Sequence, residues 1–174
     1  MKALARQFNI YLAMAVLAGL ASGCETTKKP QPAALRVHIE SSPDPAGTTQ
    51  QITVLRSDPV LVTIKREPIL SEANMVSAKI IEAEGGFAFE IKFDENGTWV
   101  LEQYTAANPG RHLVIFGQWG EKLNEGRWLA APLISRRISN GTLAFTPDCS
   151  REEANLLIPG VNEASKEIHK HQLK

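Results

Sequence analysis

Hydrophobic and polar residues alternate along much of the chain, and this period of two predicts a strand-rich fold. Leu35–Glu40 alternates and predicts a first strand, followed by a Pro- and Gly-containing loop from Ser41 to Gln50. Gln51–Leu55 and Val60–Lys65 are rich in β-branched residues and flank Asp58-Pro59 as two further strands. Pro68 interrupts, and a short helical turn begins near Ile69. Met75–Glu84 and Phe87–Phe93 predict a hairpin around Gly85-Gly86, with Phe87, Phe89, Ile91 and Phe93 on one apolar face. A two-residue Gly-Gly loop sets Glu82 opposite Phe89. A three-residue loop sets Ile81 opposite Phe89 and Ala83 opposite Phe87, and cross-strand packing favours this second register. Thr98 is a suitable cap for a helix over Trp99–Asn108, which Pro109-Gly110 stops. Strands follow at Arg111–Gly117, Arg127–Ala131, Leu133–Ile138 and Thr142–Phe145, with a loop at Glu121–Gly126 and a turn at Asn140-Gly141. Ser150 caps a second helix through Ala154, Leu157 and Ile158, which Pro159-Gly160 interrupts or bends before a polar tail over 166–174. The pattern predicts an α+β fold: a mostly antiparallel sheet with two helices packed on one face.

The N-terminus follows a different pattern. Lys2 and Arg6 precede Phe8–Leu20, which is apolar except for Asn9 and Gly19. This run is shorter than the ~20 residues of a bilayer span and suits the apolar core of a signal peptide. The following Leu20-Ala21-Ser22-Gly23-Cys24 resembles the bacterial lipobox. That resemblance implies cleavage between Gly23 and Cys24 and lipid attachment at Cys24, whose several acyl chains suffice for stable anchoring. Glu25 stands where an Asp resembles the inner-membrane retention signal, so the resemblance implies the periplasmic face of the outer membrane in a two-membrane bacterium. An ordinary cleavable signal and an uncleaved anchor are the alternatives. The expected division is therefore a leader over 1–23, a lipidated tether over 24–34, N-terminal strands over 35–57, the main α+β domain over 58–165 and the tail. The tether is Lys-, Pro- and Thr-rich and semi-extended.

Composition narrows the function classes. Nineteen Lys and Arg balance nineteen Asp and Glu, which argues against nucleic acid as a partner. Lys2 and Arg6 leave with the leader, and the mature chain is slightly acidic. Two cysteines exclude a disulfide-rich scaffold or a four-cysteine zinc site. With Cys24 modified, Cys149 is the remaining thiol, expected to be buried and unreactive.

From about Pro59 onward, short motifs recur in a recognisable order: Gly110-Arg111-His112-Leu113-Val114-Ile115, Ala130-Ala131-Pro132-Leu133-Ile134, Asn140-Gly141-Thr142-Leu143, Phe145-Thr146 and Arg151-Glu152-Glu153-Ala154. Thr105 and Asn108 sit just upstream as a helix end. This order resembles the head subdomain of the first periplasmic domain of the SecD/SecDF protein-export family. The resemblance implies that subdomain's α+β fold and contact with polypeptide. It does not carry over ion-driven export, since the SecD-like exporters' several transmembrane helices have no counterpart here. The Trp119–Trp128 stretch is longer and more polar than the family's tight hairpin, and residues 35–57 have no evident counterpart.

Candidate chemistry is sparse. His169-Lys170-His171 reads as a solvated pair without metal-ligand neighbours. His38 and His112 lack a nucleophile motif and read as structural histidines. Glu82, Glu84 and Glu90 read as a solvated strand face. Gly85-Gly86 and Gly117-Gln118-Trp119-Gly120 are not phosphate loops, and the Asn96-Gly97-Thr98 and Asn140-Gly141-Thr142 sequons read as turns. Trp119 and Trp128 flank a polar loop with Arg127 beside them, which suits a partner-binding surface if they are exposed and a capped sheet edge if they are core. The reading is a lipid-anchored periplasmic domain without cofactor, metal or catalytic residues. It binds polypeptide or an envelope protein at a groove or edge near residues 117–132, and assists export. The alternative is a structural accessory subunit of a fixed envelope complex. A hydrolase ranks third, because no nucleophile, base and orienter can be assembled.

Overall fold

The computed structural model describes residues 29–172. The expected leader, the expected Gly23–Cys24 cleavage point and the expected lipid site at Cys24 lie outside the described residues. The chain forms β1 (Ala34–Ile39), β2 (Thr49–Val54), β3 (Val60–Lys65), a 3-10 turn (Glu72–Asn74), β4 (Met75–Ala83), β5 (Gly86–Phe93), α1 (Glu95–Ala107), β6 (Leu113–Trp119), β7 (Glu125–Ala130), β8 (Thr142–Phe145) and α2 (Arg151–Gln172). This is the expected α+β class. The strands are divided among three antiparallel sheets, in the orders β1-β6-β7, β2-β3 and β4-β5-β8.

One large core joins the two three-stranded sheets to both helices, through residues such as Leu35, Ile115, Phe89, Ile91, Leu101 and Leu157. A second, smaller core of Val54, Val62, Ile64 and Val114 lies under the β2–β3 hairpin. Among the described residues, no helix is long and apolar enough to cross a membrane.

Several expectations are corrected. The β4–β5 hairpin adopts neither expected register: Glu82 pairs with Phe87, Ile80 with Phe89 and Ala78 with Ile91. The turn is centred on Glu84-Gly85, with Gly85 in the left-handed region at φ 79°. Placing Glu82 on the aromatic face is not wasteful, because Arg151 at the start of α2 reaches over it. The guanidinium bonds Glu82 at 2.6 Å and lies 4.7 Å from the centre of the Phe87 ring.

Helix α1 begins four residues earlier than expected, with Asp94 rather than Thr98 as its cap. Asp94 Oδ1 accepts from the Gly97 N–H at 2.6 Å. Asn96-Gly97 is therefore helical, not a turn. Leu133–Ile138 forms no strand. After Pro132 only a single bridge, His112 to Leu133, is made, and the segment then peels away toward α1. Helix α2 runs unbroken through Pro159 and takes in most of the expected polar tail. The proline lies on the exposed face, as does Asn155, whose carbonyl it cannot bond, so the missing donor falls on the solvent side of the helix. The buried stripe of Ala154, Leu157, Ile158, Val161 and Ser165 continues across it.

Candidate partner-binding surface

The expected surface around Trp119, Arg127 and Trp128 is largely closed. Trp119 is 1% exposed and belongs to the main core. Trp128 is half-buried, packed at 4.8 Å ring separation on Phe116 and at 5.2 Å on His38, beneath the β2–β3 hairpin. Arg127 lies over the Trp119 indole and donates two hydrogen bonds to Glu153, at 3.1 and 2.9 Å, and one to the Asp148 carbonyl. The Arg127–Glu153 pair ties β7 to the start of α2, while the polar loop over 121–126 stays largely exposed. The tryptophan that stands out is Trp99, 60% exposed on α1.

The histidines occupy structural positions. His38 Nδ1 meets the Lys65 carbonyl at 2.9 Å, and burial pushes its imidazole below the usual range. His112 bonds the Glu40 carboxylate through Nδ1 at 2.6 Å and through its backbone N–H at 2.8 Å. His169 meets the Ser165 carbonyl, and Asp94 lies 3.6 Å from its Nε2. Among the described residues, no three His, Cys, Asp or Glu converge to hold a metal ion. Cys149 is half-buried, and burial pushes its thiol up to about 11.

The sheet edges tell where a polypeptide can add. An exposed edge carries unpaired N–H and C=O groups that can pair with another strand. The edge of β1 is closed by Ile69 and Leu70, both bonded to Val37. The edge of β4 is closed by α2: Asn162 bonds both the N–H and the C=O of Ala78, at 2.7 and 2.8 Å, and Ser165 bonds the Met75 carbonyl. The edge of β7 is closed where the Asp148 N–H reaches the Leu129 carbonyl at 2.7 Å. The outer edge of β8 has no strand partner among the described residues. The Phe93 N–H bonds the Gly141 carbonyl at 2.9 Å. By the alternation of an antiparallel ladder, Leu143 and Phe145 then face β5, while Ala144 turns its N–H and C=O outward. The neighbouring Thr142 N–H is taken by the Asn140 side chain at 3.2 Å.

This open edge borders a groove of about 570 Å³, lined by Leu113 on one side, Thr142–Ala144 on another and the irregular 132–140 segment between them. Both ends of that segment are held. Pro132 accepts from the Leu113 N–H, Ile134 exchanges bonds with Arg111 and Gly110, and Ile138 donates to the Thr105 hydroxyl at 2.9 Å. Arg137 is paired with Glu102 at 2.7 Å, whereas Arg136 is exposed and in no ion pair among the described residues. Sequence reasoning placed the contact at residues 117–132 and missed this neighbouring groove. A signal was present in Pro132 and in the Arg136-Arg137 pair, which ill suit a strand interior.

The fold and its edges define a class: an α+β domain of small antiparallel sheets, braced by two helices, with the β8 edge open onto a groove. Residues 48–162 match the model of the SecDF P1 head subdomain, and the chain belongs to that family. The match takes in β2, which the sequence motifs alone left without a counterpart.

Similar solved structures include that of a membrane component SecDF that enhances protein export. It is 21% identical with a TM-score of 0.52, over 76% of this chain and 63% of that one. Another is SecDF in its super-membrane-facing form, at 20% identity and a TM-score of 0.53, over 76% of this chain and 19% of that one. At these identities the likeness is one of fold, and this chain spans less than two thirds of either structure. A comparison with curated proteins gave no match.

Proposed function

We propose that this chain is a non-catalytic, lipid-anchored envelope domain that engages extended polypeptide and thereby assists protein export. The observation that carries the reading is the open β8 edge beside a groove of about 570 Å³. An extended segment laid there gains main-chain hydrogen bonds from Ala144 and side-chain contacts from the groove, with little sequence demand. Membership of the SecDF P1 head family supports the export role, and the basic, apolar and small-residue order ending at Cys24 supports the anchor.

Photo-crosslinkers placed at Ala144 and at Trp128 in living cells test it. Many substoichiometric clients captured at Ala144, and few at Trp128, are expected under export load. A single stoichiometric partner indicates a structural accessory subunit instead, and clean lanes at Ala144 refute polypeptide binding. Cys24→Ser is expected to abolish lipid labelling, and unchanged labelling refutes the anchor.

A further inference from the structure

The described chain begins with a strap laid along α2. Lys29 Nζ lies 2.9 Å from Glu167 Oε1, close to the C-terminal end of the helix. Four residues later Ala33 is buried at Gly160, where a side chain would overlap the Gln31 carbonyl oxygen and the Ala33 methyl. Glu167 and Gly160 are about 10.5 Å apart along the helix axis. The strap holds Pro30 and Pro32, and four residues in a polyproline conformation span about 12 Å. Its length therefore fits the run from Glu167 to the notch at Gly160.

The other side of the same helix end is flanked by α1. His169 Nε2 lies 3.6 Å from Asp94 Oδ2, and Asp94 caps α1. Glu167 and His169 point about 200° apart around the helix, so strap and α1 hold it from opposite sides. Just inside α1 stands the exposed Trp99, beside Asp94, Glu95 and Asn96. Lys166 and Lys170 are exposed on the adjoining turns.

We infer that the C-terminal end of α2, with Trp99 beside it, is the face of the domain that docks on the headgroup layer of the membrane. This rests on the anchor reading above. Five residue steps separate Cys24 from Lys29, a reach of at most roughly 18 Å. A lipid at Cys24 therefore keeps the Lys29–Glu167 pair close to the bilayer surface. An exposed indole is the side chain best suited to the membrane–water interface, and lysines beside it extend to phosphates. Glu95 and Glu163 share this end, so the occupant is the interfacial layer as such rather than an anionic lipid in particular. Because Glu102 and Thr105 lie one to two turns further along α1 and hold the groove wall, the groove opens just beyond the headgroups.

The test uses the lipidated protein reconstituted in phosphatidylethanolamine–phosphatidylglycerol vesicles. A parallel sample is the chain from Cys24 onward, coupled through that thiol to a maleimide lipid. Cys149, half-buried with its thiol near 11, stays out of the coupling. Brominated lipids then quench tryptophan fluorescence, and Trp99→Phe isolates the Trp99 share. Quenching confined to Trp99 is expected, with at least a twofold loss in Gly160→Ala, whose methyl lifts the strap, and a smaller loss in Lys29→Ala. Trp99 unquenched in the maleimide-coupled sample overturns the inference, as does quenching unchanged in both strap variants. An unlipidated natural protein beside normal quenching in the coupled sample overturns the anchor and leaves this docking face standing.

Discussion

Arg127 lies over the indole of Trp119, its guanidinium carbon 5.5 Å from the ring centre. The same guanidinium grips Glu153, so the β6–β7 hairpin is fastened to the first turn of α2. The hydrogen bonds from Arg127 hold the Glu153 carboxyl below the usual range against the opposing effect of burial, with a further bond from the Ser150 N–H. A depressed carboxylate stabilises the fold fully above its unfolded value of ~4.3, and that contribution is lost as pH falls through the lower folded value. Glu153→Gln is expected to cost about 1–2 kcal/mol at pH 7, the range for a half-buried, charge-assisted pair. Urea denaturation followed by tryptophan emission checks both points. The variant is expected to lose less stability than the wild type between pH 5 and pH 3, and parallel profiles would contradict the pairing.

Cys149 gives a prediction of opposite sign. Burial raises its thiol to about 11, above the unfolded value of ~8.5. The neutral thiol therefore supports the fold fully below pH ~8.5, and this support is lost as pH rises toward about 11. In the native protein at pH 7.5 an aromatic disulfide reagent is expected to leave Cys149 untouched, and to react within minutes in urea. Rapid native labelling would mean the thiol is neither buried nor neutral.

Gly97 reverses an ordinary expectation about helices. Glycine to alanine inside a helix normally stabilises by up to about 1 kcal/mol. Here a Cβ would stand 2.9 Å from both the Asn74 carbonyl oxygen and the Asn74 Cβ, and 3.0 Å from the Phe93 Cβ. The obstacle includes backbone, which yields little. Gly97→Ala is expected to destabilise by about 1–2 kcal/mol in chemical denaturation, and a stabilised variant would show that α1 packs less closely on the 3-10 turn.

The same glycine explains part of what the sequence concealed. Asn-Gly is a turn signal in isolation; here the Asp94 cap makes it the first turn of a helix, and the close approach of Asn74 requires the glycine. Most strands were legible because alternation reports which face is buried, as in Phe87–Phe93. The hairpin register was not, because Glu82 opposite Phe87 looks unfavourable until Arg151, 69 residues away in sequence, covers both. Edge closure was invisible for the same reason. Asn162 on Ala78 and Asp148 on Leu129 are tertiary contacts with no local pattern. Trp119 beside a polar loop allowed exposure or core, and its packing into the main core beneath Arg127 decided for core. The candidate surface therefore moved from residues 117–132 to the neighbouring β8 edge, where the Ala144 N–H and C=O have no backbone partner among the described residues.

That edge yields the sharpest prediction, at Ala144. Its N–H points away from β5, so proline there removes no ladder bond, and proline is tolerated on the outer side of an edge strand. The residue before a proline is pushed toward extended backbone, which Leu143 already adopts. Ala144→Pro is therefore expected to keep the fold, with a stability change within about 1 kcal/mol and unaltered circular dichroism. It removes the outward donor and sets a ring against any incoming strand. Crosslinking from a neighbouring groove position such as Arg136 is expected to fall at least fivefold in this variant. Ala144→Val keeps the donor and is expected to retain capture. Undiminished capture by a folded Ala144→Pro protein would show that clients do not pair with β8, and would return the contact to the groove side chains alone.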